Sequence, residues 1–258
     1  MKRCDFMQRL ILLHIWITLI IIIFPLTKIQ ADDTLPSLIN INSFEEDVTG
    51  DGIKENLNLQ GSYLSDDSDF FQHITLDINN SFQKEWNLSL KGGYEPELSF
   101  YDLNHDKTLD IFYEVAINTD KNQYFTQAYT LKNNKIDPIE LPKNNPIKGI
   151  YKDGFRIELI FTPTNNKEYI TIKNRNPLIK ENIYNDKGKV SKEQYIDIEP
   201  IKKYIPVLIN EQKGYGLKSI QDMRHPSTKE LIGTIETLWY FNQDKSKWII
   251  LKTDWHKE

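Results

Sequence analysis

Beyond residue 31 the chain alternates apolar and polar positions in short runs, not in the wider stripes of helices. "HITLDI", "LSFYDL", "DIFYEVAI", "YFTQAYTL", "FRIELIFT", "EYITIK" and "IETLWYF" are short runs rich in Ile, Thr, Tyr and Phe. β-branched and aromatic residues in such runs predict strands. Turn-formers separate them: "NN", "KGG", "NNK", "KDG", "TNNK", "NDKG" and "NQDKSK". "YNDKGKV" and "WYFNQDKSKWIIL" read as hairpins. The best helical candidate, "EPIKKYIPVLINEQ", contains Pro200 and Pro206, which oppose a continuous helix. The predicted class is all-β, built of antiparallel meanders.

The pattern also repeats. "DVTGDGIKENLNL" begins at Asp47 and "DLNHDKTLDIFYE" at Asp102, 55 residues later (102 − 47). A polar gap follows each, then a similar strand, "FFQHITL" from Phe70 and "YFTQAYTL" from Tyr124. A unit of about fifty residues has the size of a propeller blade, so propeller-like repeats are expected. A β-sandwich or two small β domains are the alternatives. The repeat is clear over residues 38–147 and faint after Lys148, where a third passage, "PVLINEQKGYGLKSI", has the same layout without the acids. No Pro- or Gly-rich linker intervenes. The expected organisation is two repeats within 32–147 and a diverged β continuation of the same domain over 148–258.

The repeated loops carry the candidate chemistry. Asp47, Thr49, Asp51, Ile53 and Glu55 stand at positions 1, 3, 5, 7 and 9 of the first loop. Asp102, Asn104, Asp106, Thr108 and Asp110 stand at the same positions of the second. These are positions from which a tight loop wraps oxygen donors around Ca²⁺, with position 7 contributing its backbone carbonyl. Alternation is expected to converge the odd side chains and turn the even ones outward. Several carboxylates in one small turn repel each other unless a cation joins them, and oxygen-only ligands favour calcium over zinc or copper. An EF-hand would need Glu at position 12, where Asn58 and Tyr113 stand, and helices in place of the predicted strands. The competing reading is a metal-free turn, since Asp and Asn favour turns for their own sake. The first loop has Gly50 and Gly52 where the second has His105 and Lys107. In the third passage Leu208, Asn210, Gln212 and Gly216 hold the corresponding places, and no metal is expected there.

"EPELSFYDLNHDKTLDIFYEV" resembles the FG-GAP/VCBS-type repeat of bacterial secreted proteins and, more distantly, of integrin α-subunit propellers. There a strand leads into Asp-x-Asn-x-Asp-Gly-x-x-Asp and out into another strand. The resemblance covers both loops and their flanking strands. It implies a propeller-like fold and two calcium ions held by the ten residues named above. Lys107, in place of Gly, and Thr49 depart from the pattern.

The N-terminus changes the picture of location. Lys2, Arg3 and Arg9 precede the apolar run Leu10–Phe24, and "KIQADD" follows Pro25, the plan of a signal peptide over residues 1–31 cleaved after Ala31. Retention as a membrane anchor is the alternative, and either way the remainder is expected outside the cytoplasm. The only cysteine, Cys4, lies in that segment, so the remaining 227 residues (258 − 31) can form no disulfide. Removing Lys2, Arg3, Asp5, Arg9 and Lys28 shifts the formal charge from −5 to −8. An acidic chain argues against nucleic acid and against an anionic membrane as partner. The leading expectation is therefore an exported calcium-binding module, acting on an envelope or extracellular ligand of protein or polysaccharide. A carbohydrate-active hydrolase or esterase, or an anchored envelope or spore-surface component, are the alternatives. No GxSxG, HExxH, phosphate-loop or dinucleotide motif occurs, and His73, His105, His225 and His256 show no metal spacing. Trp86, Trp239, Trp248 and Trp255 allow a sugar-stacking platform, with Trp239 and Trp248 as cross-strand core partners the simpler reading.

Overall fold

The structure is a computed structural model that describes residues 37–143, 146–162 and 164–257. The candidate export segment and its cleavage point lie outside the described residues. Antiparallel sheets dominate, as the alternating runs predict, and residues Leu38–Glu258 form one compact unit.

Strands β1 (Ile39–Glu46), β2 (Glu55–Tyr63), β3 (Phe71–Asn79) and β4 (Glu85–Leu90) make the first sheet, paired in chain order. Strands β5 (Tyr94–Tyr101), β6 (Asp110–Ala116), β7 (Tyr124–Lys132) and β8 (Lys135–Ile139) repeat that meander in the second sheet. A third meander follows much later, from β13 (Lys203–Asn210), β14 (Gly214–Arg224), β15 (Leu231–Asn242) and β16 (Lys247–Lys257). Between the second and third lies a separate three-stranded sheet of β9 (Ile147–Lys152), β10 (Arg156–Phe161) and β11 (Lys167–Thr171). A short helix α1 (Asn176–Lys180) and the two-residue strand β12 (Asp197–Ile198), which pairs with β14, complete the chain.

The alternation of each strand decides which face is buried. Leu57, Leu59, Ile74, Leu76 and Ile78 of the first sheet share one cluster with Ile111, Tyr113, Val115 and Leu131 of the second. The intervening residues of the second sheet, Phe112 and Ala128, point the other way and join Leu217 and Trp239 of the third meander. Strand β6 is therefore covered on both faces, and "DIFYEVA" is buried at nearly every position where the outer strands alternate. Each fully buried Leu, Ile or Phe contributes about 1.5–3 kcal/mol relative to exposure.

The same face of β14 and β15 also carries Met223 and Ile235, which share a cluster with Ile157, Leu159 and Tyr151 of the three-stranded sheet. Ser219, Gln221 and Thr237 are buried along these strands as well, and Trp239 donates its indole N–H to Ser219 Oγ at 2.8 Å. The Tyr151 hydroxyl hydrogen-bonds His225 Nδ1 inside the first of these junctions, and burial lowers the His225 pKa, favouring the neutral ring. At the start of β13, Tyr124 N of β7 donates to Lys202 O at 2.8 Å, and Lys203 pairs with Glu114 of β6 at 3.3 Å.

Candidate metal-binding loops

The first loop joins β1 to β2 and the second joins β5 to β6, the same place in two successive meanders. Four of their internal hydrogen bonds correspond position by position. At position 1, Asp47 Oδ2 accepts from Gly52 N at 2.8 Å, and Asp102 Oδ2 from Lys107 N at 3.0 Å. At position 5, Asp51 Oδ1 accepts from Ile53 N at 2.8 Å, and Asp106 Oδ1 from Thr108 N at 3.0 Å. At position 9, Glu55 Oε2 accepts from Val48 N at 3.1 Å, and Asp110 Oδ2 from Leu103 N at 2.8 Å. The position 3 side chains reach the same acids: Thr49 Oγ1 donates to Glu55 Oε1 at 3.2 Å and Asn104 Nδ2 to Asp110 Oδ1 at 3.0 Å.

The backbone agrees as well. Positions 4 and 6 are left-handed in both loops, with φ of 75° and 87° at Gly50 and Gly52, and 61° and 72° at His105 and Lys107. Only glycine adopts this conformation freely; other residues lose about 1–2 kcal/mol. His105 is held there by stacking on Tyr240 of β15, with centroids 4.6 Å apart.

The even positions do not all face outward, which corrects the simple alternation. Val48 and Leu103, both at position 2, are fully buried. Val48 belongs to the cluster between the first and second sheets, and Leu103 to the one between the second and third meanders. Each loop thus plugs the end of an interface with an apolar side chain. That fold-back is what lets the position 2 N–H meet the buried acid at position 9.

The three meanders bring their first turns into a row. A Cβ on Gly50 would lie 2.7 Å from Thr108 Oγ1, so the two loops touch. A Cβ on Gly214, at the start of β14, would lie 3.5 Å from His105 Nδ1. The third passage itself is a tight hairpin, in which Asn210 Oδ1 accepts from Gln212 N at 3.0 Å and Lys213 N at 2.8 Å.

The electrostatics separate the loops. Glu55 and Asp110 are both inaccessible to solvent. Burial pushes Asp110 up to about 7, against its backbone hydrogen bonds from Leu103 and Asn104; Glu55 is also raised by burial. Asp51 is exposed, whereas Asp106 pairs with Lys132 Nζ at 3.1 Å, a contact the loop pattern does not reveal. Asp47 Oδ1 accepts from Gly50 N at 2.7 Å, but its counterpart Asp102 Oδ1 is buried with no hydrogen-bond partner. Among the described residues no three His, Cys, Asp or Glu side chains gather as a group able to hold a metal. Many of the loop oxygens turn instead onto the loops' own backbone N–H groups.

The tryptophans form no common platform. The cross-strand partners are Phe241 with Trp248 and Trp239 with Ile250, so Trp239 and Trp248 do not pair with each other. Trp239 is core, and the indole N–H groups of Trp86, Trp248 and Trp255 donate to Asn134 O, Glu140 O and Glu168 Oε2 respectively. Away from both loops, one cavity of 500 Å³ does contain Asp197, Glu199 and Asp222. Those acids are ion-paired: Asp222 with Lys202 and Arg224, Glu199 with Arg224, and Asp197 with Lys229.

A family model described as the YybI C-terminal domain matches residues 145–256. The matched segment, less than half of the chain, takes in the three-stranded sheet and the third meander, which share one buried cluster. Both candidate loops lie before it. Comparison with curated proteins and with solved structures returns no match. Among the described residues no helix is long and apolar enough to cross a membrane.

Proposed function

We propose that this is an exported β-repeat protein of the FG-GAP/VCBS type, whose two loops bind calcium and couple it to folding, and which serves as a binding or structural module at the cell envelope or beyond it. The observation that carries the calcium reading is the buried Asp102 Oδ1 without a partner, in a loop that shares its left-handed positions and four hydrogen bonds with the first. A carboxylate oxygen desolvated and left unpaired costs free energy that a cation would recover. The donor set is all oxygen, which suits calcium. Asp47, Thr49, Asp51, Glu55 and the Ile53 carbonyl would hold one ion; Asp102, Asn104, Asp106, Asp110 and the Thr108 carbonyl the other. The three meanders, with their first turns side by side, support reading them as successive propeller-like blades with the β9–β11 sheet inserted between the second and third. The candidate signal peptide supports export.

Extracellular calcium modules bind at roughly 10⁻⁴–10⁻³ M, so millimolar calcium would stabilise the fold by about 0.4–1.4 kcal/mol per site. For a chain of this size each kcal/mol raises the melting temperature by roughly 2–4 °C. Thermal unfolding in calcium and in EDTA tests the reading. A melting temperature several degrees higher in calcium is expected, with part of that difference lost in Asp51→Ala and part in Asp106→Ala. Coincident melting curves would overturn it.

A further inference from the structure

A cleft of 660 Å³ opens between the second and third meanders. Its volume is that of a small-molecule site, typically ~300–1,000 Å³. Asn104 and Asp106 of the second loop line it, together with Phe241, Trp248, Lys143 and Lys247. Phe241 and Trp248 meet edge to face with centroids 5.4 Å apart. The Trp248 N–H donates to Glu140 O at 2.7 Å, which fixes the indole before any ligand arrives. An aromatic pair held in place beside amide, carboxylate and ammonium groups is a mixed surface. It suits a ligand with one apolar C–H face and a rim of hydroxyls.

We propose that this cleft binds a short pyranose chain, with the second loop forming part of the site. The ring's C–H face packs on the Phe241–Trp248 pair, and its hydroxyls meet Asn104, Asp106 and the two lysines. A purely apolar ligand would strip water from those polar groups and offer nothing in its place. Only the metal dependence of binding rests on the calcium reading: Asn104 and Asp106 belong to both the cleft and the second loop, so calcium there would order the site. The 500 Å³ cavity is a poorer candidate, because its acids and bases already neutralise one another.

Isothermal calorimetry and tryptophan fluorescence on the full chain test the proposal, with chitotetraose, cellotetraose and tetragalacturonate as probes, in calcium and in EDTA. Saturable binding of at least one probe is expected, tighter in calcium. Preference for the galacturonate would show that the lysines read an acidic sugar; preference for a neutral chain, that the aromatic pair dominates. Trp248→Ala and, independently, the exposed Lys247→Ala should each weaken binding by about tenfold, the effect of one strong contact. Tyr169→Ala, an exposed aromatic outside the cleft, should leave it unchanged. Absence of binding by all three probes to folded protein overturns the proposal, as does binding that neither Trp248→Ala nor Lys247→Ala weakens. Calorimetry with calcium alone separates the two readings. A flat calcium titration with Trp248-dependent sugar binding removes the metal and leaves the cleft; calcium binding without sugar binding does the reverse.

Discussion

The two loops reach the same backbone path by different means. The first uses glycine at both left-handed positions, exposes Asp51 and satisfies both oxygens of Asp47 from its own backbone. The second places His105 and Lys107 at those positions and stacks His105 on the third meander. It also has Lys132 beside Asp106 and leaves Asp102 Oδ1 unpaired. Local sequence makes the first loop easy to form, whereas tertiary contacts hold the second in the same shape. A repeated loop geometry thus survives even when the residues best suited to its backbone have been replaced, provided a neighbouring element supplies the lost stability.

The widest gap is expected at position 9. Asp110→Ala should lower stability by about 3 kcal/mol, because it strands the N–H groups of Leu103 and Asn104 in a buried site. Glu55→Ala strands one such N–H, that of Val48, and should cost about 1.5 kcal/mol. Urea unfolding in EDTA reads both values; equal losses would show that the second loop draws no extra stability from its additional bond.

Gly50→Ala comes next, at about 1–2 kcal/mol for a left-handed residue, plus the clash with Thr108. A Thr108→Ala background should return the steric part alone, as a double-mutant cycle would measure. Additive losses would mean that the loops do not press on each other.

A smaller effect of opposite sign is expected at position 6 of the second loop. Lys107→Gly relieves a left-handed lysine and should raise stability by roughly 0.5–1 kcal/mol, part of the strain being offset by the greater freedom of an unfolded glycine. A loss of stability would show that tertiary contacts have removed the strain already. Smallest of all, Lys132→Ala should change unfolding free energy by less than about 0.5 kcal/mol, because Lys132 is more than half exposed and its pair with Asp106 is screened by solvent. A clear loss there would make the ion pair a true second support of the loop.

Much of this was legible in the chain. "HITLDI" and "IETLWYF" lie within strands, and "DIFYEVAI" does so up to Ala116, as alternation and β-branching predict; the Pro200–Pro206 stretch enters a strand, β13, in place of a helix. The ten loop residues fall into matching places because their spacing is local. The burial of Val48 and Leu103 was not legible, since it depends on what the next sheet presents to the loop. Neither was the separate sheet at β9–β11, whose strands look like any others until their partners are known. The 660 Å³ cleft joins residues from 104 to 248, and no local pattern connects them.

The all-β class, the two loops and their ligand-like spacing follow from local pattern, because periodicity and turn chemistry act over a few residues. Packing alone sets which sheet faces which, the row of first turns of the three meanders, and the burial of the unpaired Asp102 Oδ1. Those outcomes depend on packing between strands far apart in the chain, where burial and close contact are properties of the assembled interface.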